Sequence, residues 1–128
     1  MNILILGSGI VGANLAKKLS EQGKNVFLLD DDANELKNLS ERFDIKTIYD
    51  DPLNPSFYKN FDSKIDCFIA VTRSDEKNII TSKFAKEFLK VDKSIARVRN
   101  QNLILDENKS LLIESNSFLD HIISPEWE

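Results

Sequence analysis

Hydrophobic and polar positions alternate along this chain between two periods. NILIL at 2–6 is a continuous apolar run, as expected of a parallel strand covered on both faces. Val11, Leu15 and Leu19 then recur every fourth residue, with Gly12 and Ala16 beside them and Lys17, Lys18 and Glu21 off the stripe. That spacing predicts a helix ending at Gly23, a C′ glycine. NVFLL at 25–29 reads as a second strand closed by Asp30. Asp32 followed by Glu35 has capping-box spacing, and Leu36, Leu39 and Phe43 form the apolar stripe of a second helix.

KTIY at 46–49 predicts strand three, and Pro52 and Pro55 break the chain before a helical turn near Ser56–Asn60. DCFIAV at 66–71 predicts strand four. Ser74 or Asp75 caps a longer helix in which Ile80, Phe84 and Phe88 share a face. SIARV at 94–98 is strand five and FLDHII at 118–123 a sixth, while 101–118 mixes short apolar runs with Asn and Ser. Ser124-Pro125-Glu126 reads as a helix start with Pro at N1. Strands alternating with helices over short loops predict an α/β, Rossmann-like, doubly wound, mainly parallel sheet of about six strands with helices on both faces.

Gly7-Ser8-Gly9-Ile10-Val11-Gly12 lies between the first strand and the first helix. Gly7 permits the tight turn, Gly9 lets a diphosphate approach the backbone, and Gly12 lets the helix pack closely on the sheet. Free N–H groups at the helix start, with the positive end of its dipole, suit an anion. Asp30 follows Gly12 by 18 residues at the end of strand two, where its carboxylate can accept from both hydroxyls of an adenosine ribose. A 2′-phosphate there would meet Asp30, Asp31 and Asp32 together, so NAD or another adenosine nucleotide is favoured over NADP.

At 128 residues the chain suits one domain with a sizeable core. The net charge of −4 argues against nucleic acid as a partner and against unaided adsorption to anionic lipid. Cys67 and His121, each the only residue of its type, offer neither an internal disulfide nor a zinc site. The apolar start lacks a basic n-region and is interrupted by glycines, and no run reaches membrane-spanning length, so a soluble, cytoplasmic chain is expected.

Hydride transfer needs an acid/base group beside the nicotinamide. Tyr58 is followed four residues later by Asp62 and Tyr49 by Leu53, so the Tyr-x-x-x-Lys pair of short-chain reductases is absent. A nucleotide sensor is therefore preferred to its alternative, the cofactor-binding domain of an NAD-dependent dehydrogenase. Arg97, inside an apolar strand, needs a partner or a function. Cys67 reads as an inert core thiol and His121 as a structural histidine.

ILGSGIVGANLA at 5–16, VFLLD at 26–30, IDCFIAVTRSDEKNI at 65–79, IARVR at 95–99 and HIISPE at 121–126 together resemble the regulator-of-potassium-conductance domains, also called RCK, KTN or TrkA-N domains. The resemblance covers essentially the whole chain, and AVTRSDEKN followed by IARVR is its most specific part. It implies binding of NAD(H), ATP, ADP or AMP between strands one and four. It further implies assembly as a homodimer or dimer of dimers at the inner face of the cell membrane, gating a membrane-embedded potassium transporter or channel subunit.

Carried over by position, Gly7 to Gly12 would hold the phosphates and Asp30, with Asp31, the ribose. Asp51, between Asp50 and Pro52, would flank the adenine. Val71, Thr72 and Arg73 would lie over the cofactor opposite the glycine loop, and Arg97 near the nucleotide or a subunit contact. Ile10 stands where many relatives have Arg or Gln, which favours NAD(H), or a nucleotide with fewer phosphates, over ATP. Asp50 replaces a usual Gly and Pro52 a usual small residue. The resemblance also implies a crossover helix and a C-terminal ligand domain beyond Glu128.

Overall fold

The computed structural model describes residues 1–100 and 119–123. Six parallel strands form one sheet: β1 (Asn2–Leu6), β2 (Asn25–Asp30), β3 (Lys46–Tyr49), β4 (Cys67–Ala70), β5 (Lys93–Arg97) and β6 (His121–Ile123). Their order is β3-β2-β1-β4-β5-β6, so the chain reverses its direction of winding between β1 and β4. Helices α1 (Ile10–Glu21), α2 (Ala33–Arg42), α3 (Pro55–Asn60) and α4 (Asp75–Phe84) make the crossovers, and Ala85–Leu89 extends α4 as a π-helical turn.

The unbroken apolar runs follow from burial on both faces. Ile3, Ile5, Val26, Leu28 and Ile69 point to the side covered by α1 and α2, where they meet Ala16, Leu36 and Leu39. Their neighbours Leu4, Leu6, Phe27, Leu29 and Phe68 point the other way, onto Tyr58, Ile65 and Ala85. Alternate residues of one strand thus enter two different cores. Fully burying each such aliphatic side chain is worth roughly 1.5–3 kcal/mol. A smaller cluster of Ala96, Val98 and Leu119 lies at the β5–β6 end.

Helix ends follow their sequence signals. Gly23 takes φ +83° just past α1, as a C′ glycine does. Asp32 caps α2 by accepting from Glu35 N at 3.2 Å. The reciprocal half of the capping box is replaced, because Asp32 N donates to the Asp30 carboxylate instead. Asn54 caps α3, with Pro55 at its first position, and Ser74 caps α4 by accepting from Lys77 N.

The face of α4 departs from the expected stripe. Ile80 is 46% exposed, whereas Asn78, Thr81 and Ser82 are the buried residues of the helix. Thr81 and Ser82 turn their hydroxyls back onto Lys77 O and Asn78 O, so polar side chains pack there at little cost. The π turn then shifts the helix phase, and Phe84 and Phe88 reach the aromatic core with Tyr58. Residues 101–118 and the expected helix start at Ser124-Pro125-Glu126 lie outside the described residues.

Candidate functional site

An open cleft of about 890 Å³ lies at the carboxyl ends of the strands, over the reversal between β1 and β4. That is where open α/β sheets place their ligands, because the crossovers on either side diverge and leave a crevice. Gly7, Ser8, Gly9, Ile10, Val11, Asp30, Asp31, Val71, Thr72, Arg73 and Arg97 all line it.

The turn from β1 into α1 tolerates only glycine at two positions, one in the loop and one in the first turn of the helix. Gly7 has φ +114°, and a Cβ there would lie 3.2 Å from Val71 C and O and from Thr72 N. The loop therefore rests directly on the end of β4. At Gly12 a Cβ would come within 1.7 Å of the Gly7 carbonyl oxygen, so α1 presses against the loop it follows. Gly12 is buried and shapes the loop from below rather than lining the cleft.

Gly9 differs from both. A Cβ there meets nothing within 4 Å and would project into open space at the cleft. As the N-cap of α1 it supplies no side-chain acceptor, which leaves the first N–H groups of the helix available to an anion.

Asp30 occupies the other end of the loop. Its Oδ2 accepts from Ser8 N and Ser8 Oγ, both at 2.6 Å, and its Oδ1 accepts from Asp31 N at 2.7 Å and Asp32 N at 3.1 Å. A carboxylate offers about four acceptor sites, and all are engaged. Burial pushes this carboxyl up, but the hydrogen bonds from Ser8 and Asp31 outweigh it and hold the group below the usual carboxylate range. Asp30 therefore ties the glycine loop to the start of α2, a tie that the sequence spacing alone did not disclose.

The two walls of the cleft carry opposite charge. Asp30, Asp31, Asp32 and Glu35 stand on the β2–α2 side, and Arg73, Lys77 and Arg97 on the β4–α4–β5 side. Arg97 Nε is buried with no hydrogen-bond partner among the described residues. Lys17 and Arg42 flank the Phe43 ring where the cleft runs down between α1 and α2.

Asp50, Asp51 and Pro52 do not line this cleft, although Asp50 N donates to the Asp30 carbonyl at 3.2 Å. β3 lies one strand further out than β2, and the turn after it folds toward α3. Asp50 lines a separate groove of about 570 Å³ with Phe27, Lys46 and Phe57. Asp51 caps its own turn by accepting from Leu53 N, and Pro52 is buried with its carbonyl accepting from the Tyr58 hydroxyl at 2.7 Å. Burial and the charges of Asp51 and Asp50 push the Tyr58 phenol well above its ordinary range, which keeps it a donor.

Sequence reasoning missed Asn78. Its side chain is fully buried and joins the ends of β4 and β5. Its position one turn into a capped helix, four and seven residues before Ser82 and Ala85 on the same face, is the signal that could have found it. Cys67 is half-buried, and burial raises its thiol pKa. His121 is exposed on β6. Among the described residues no group of acids, cysteines or histidines could hold a metal ion.

The TrkA-N domain model matches residues 3–125. The Trk system potassium uptake protein TrkA of Haemophilus influenzae is 32% identical over 127 residues, spanning 98% of this chain and 28% of that protein. The TrkA of Halomonas elongata is 34% identical over 127 residues, spanning 98% and 27%. The chain thus spans less than a third of the length of these relatives. Among solved structures, the NAD(P)-binding domain of an exopolyphosphatase-related protein from Archaeoglobus fulgidus superposes with a TM-score of 0.78 at 20% identity, covering 97% of this chain and 87% of that one. The GsuK channel bound to NAD superposes with a TM-score of 0.76 at 19% identity, covering 95% and 21%. Both likenesses speak to the fold.

Proposed function

Because this chain belongs to the TrkA-N domain family, we propose that it is a nucleotide-sensing regulatory module of a potassium uptake system, binding NAD(H) or another adenosine nucleotide. One observation carries the reading. A glycine-only loop, closed on the uncapped N-terminus of α1, faces a cleft with acids on one wall and cations on the other. The diphosphate takes the free N–H groups of α1 across the bare Cα of Gly9. The adenosine ribose exchanges its hydroxyls for the Ser8 hydroxyl on Asp30. The distal half of the ligand crosses the cleft toward Thr72, Arg73 and Arg97. An extra 2′-phosphate would face Asp30, Asp31 and Asp32, so NADP binds more weakly.

The role is regulatory rather than catalytic. No histidine, cysteine or tyrosine is among the described residues lining the cleft, so the usual proton-transfer groups of a reductase are not at hand. The ligand instead touches elements on both sides of the strand reversal and biases their relative position. It acts on a partner only by binding two assembly states with different affinity. That partner is a membrane-embedded potassium transporter or channel subunit, contacted by a homodimer or dimer of dimers at the inner membrane face. No described helix is long and apolar enough to cross a membrane.

The test is calorimetric titration of NADH, NAD, ATP, ADP and AMP, with light scattering in each state. Micromolar binding that changes assembly size, without turnover, is expected. Absence of binding by every nucleotide at millimolar concentration overturns the reading.

A further inference from the structure

We propose that Asn78 is a positioning residue that sets the β4–β5 wall of the cleft, and that it governs affinity for ligands long enough to reach that wall. The proposal rests on the nucleotide reading above and names the element that makes the second half of the site.

The Asn78 side chain is fully buried and uses every hydrogen-bonding site it has. Its Oδ1 accepts from Thr72 N at 3.0 Å and from Thr72 Oγ1 at 2.7 Å. Its Nδ2 donates to Thr72 O at 3.0 Å and to Arg97 O at 2.8 Å. One α4 side chain therefore holds three groups of Thr72 and ties the end of β4 to the end of β5. A leucine or isoleucine there would give up all four of these bonds, to Thr72 N, Oγ1 and O and to Arg97 O.

Arg73 follows Thr72 directly in the chain. Arg97, whose carbonyl Asn78 holds, carries a buried Nε with no hydrogen-bond partner among the described residues. Arg97 directly, and Arg73 through its neighbour Thr72, thus depend on the same amide for backbone position. Thr72, Arg73 and Arg97 all line the cleft, and Asn78 does not, so it acts through them.

The experiment compares NADH, which crosses the cleft, with AMP, which reaches only the glycine loop and the β2 acids. The whole chain is titrated with both, as wild type and as Asn78→Ala, well below the unfolding temperature of each. The variant is expected to raise the NADH dissociation constant by about tenfold or more, the equivalent of one lost interaction. AMP affinity is expected to stay within about threefold, since its contacts lie elsewhere. A merely structural role would weaken both ligands in parallel. Parallel loss, loss confined to AMP, or unchanged NADH binding overturns the proposal. Where Asn78→Ala does not fold, Asn78→Asp, of the same shape but with acceptors in place of the two donors, carries the same comparison. A wild-type chain that binds neither ligand refutes the nucleotide reading itself.

Discussion

Replacing Gly12 in the first turn of α1 and Gly9 in the loop before it separates what this turn does for the fold from what it does for a ligand. In Gly12→Ala the new methyl arrives 1.7 Å from the Gly7 carbonyl oxygen and 2.8 Å from its carbon, and must gain at least about 1.3 Å. Neither neighbour can yield cheaply. Gly7 is itself wedged 3.2 Å from the β4 backbone at Val71 and Thr72, and α1 is seated on the sheet through Ala16. Overpacking against backbone on both sides costs about 2–4 kcal/mol. With a urea dependence of about 1–3 kcal/mol/M for a domain of this size, the midpoint should fall by about 1–2 M with an unchanged slope.

Gly9→Ala behaves differently. Its methyl meets nothing within 4 Å, and Gly9 has an ordinary φ of −69°. The gain from a stiffer unfolded chain and the loss from a poorer N-cap roughly cancel, leaving stability within about 0.5 kcal/mol. NADH affinity, by contrast, should collapse, because the methyl occupies the diphosphate's line of approach. Urea unfolding and calorimetry on the two variants read both quantities. An unshifted midpoint in Gly12→Ala, or normal NADH binding by Gly9→Ala, would refute this reasoning.

Asp30→Ala should weaken every adenosine nucleotide by about 1–3 kcal/mol in calorimetry, because charge-assisted hydrogen bonds are lost. Equal affinity would show that the ribose lies elsewhere. Tyr58→Phe removes the donor to Pro52 O and should cost about 1–2 kcal/mol in urea unfolding, since it orphans a buried carbonyl. The acid limb of stability follows from Asp30 and Asp120, both held below their ordinary 3.8. For Asp120 burial opposes the shift, and hydrogen bonds from Ser94 N and Lys86 produce it. Their stabilisation is complete above that value and is lost as pH falls below it, because the unfolded carboxyls protonate first. Urea midpoints from about pH 7 to about pH 2.5 should drop more steeply in wild type than in Asp120→Ala.

The strands and helix starts were legible because their signals are local. Apolar runs marked β1 to β5, and Asp32 and Ser74 cap the helices that follow them as their spacing predicts, whereas the Asn54 cap of α3 was not read from the sequence. The glycine loop and Asp30 were legible as a pair because a strand–turn–helix unit fixes their separation. Asp30's four donors were not, since nothing in the spacing says that Ser8 turns its hydroxyl inward. The buried face of α4 was misread through Ile80 because hydrophobic periodicity cannot see a helix that packs on Asn78, Thr81 and Ser82. The turn at Asp50 to Pro52 was assigned to the adenine by resemblance, and its tie to α3 through the buried Tyr58 hydroxyl left no mark in the sequence. That contact joins residues whose chemistry, read singly, signals nothing.

Among the described residues the sheet's margins are brief: β3 has four residues and β6 three. Lys46 at the start of β3 also lays its ammonium over the Phe27 ring, 5.0 Å from the centroid. A neighbouring molecule annealing there would gain few main-chain bonds and would have to displace a cation. Molecules of this chain held at high local concentration therefore run little hazard of fibre-like stacking through these two borders.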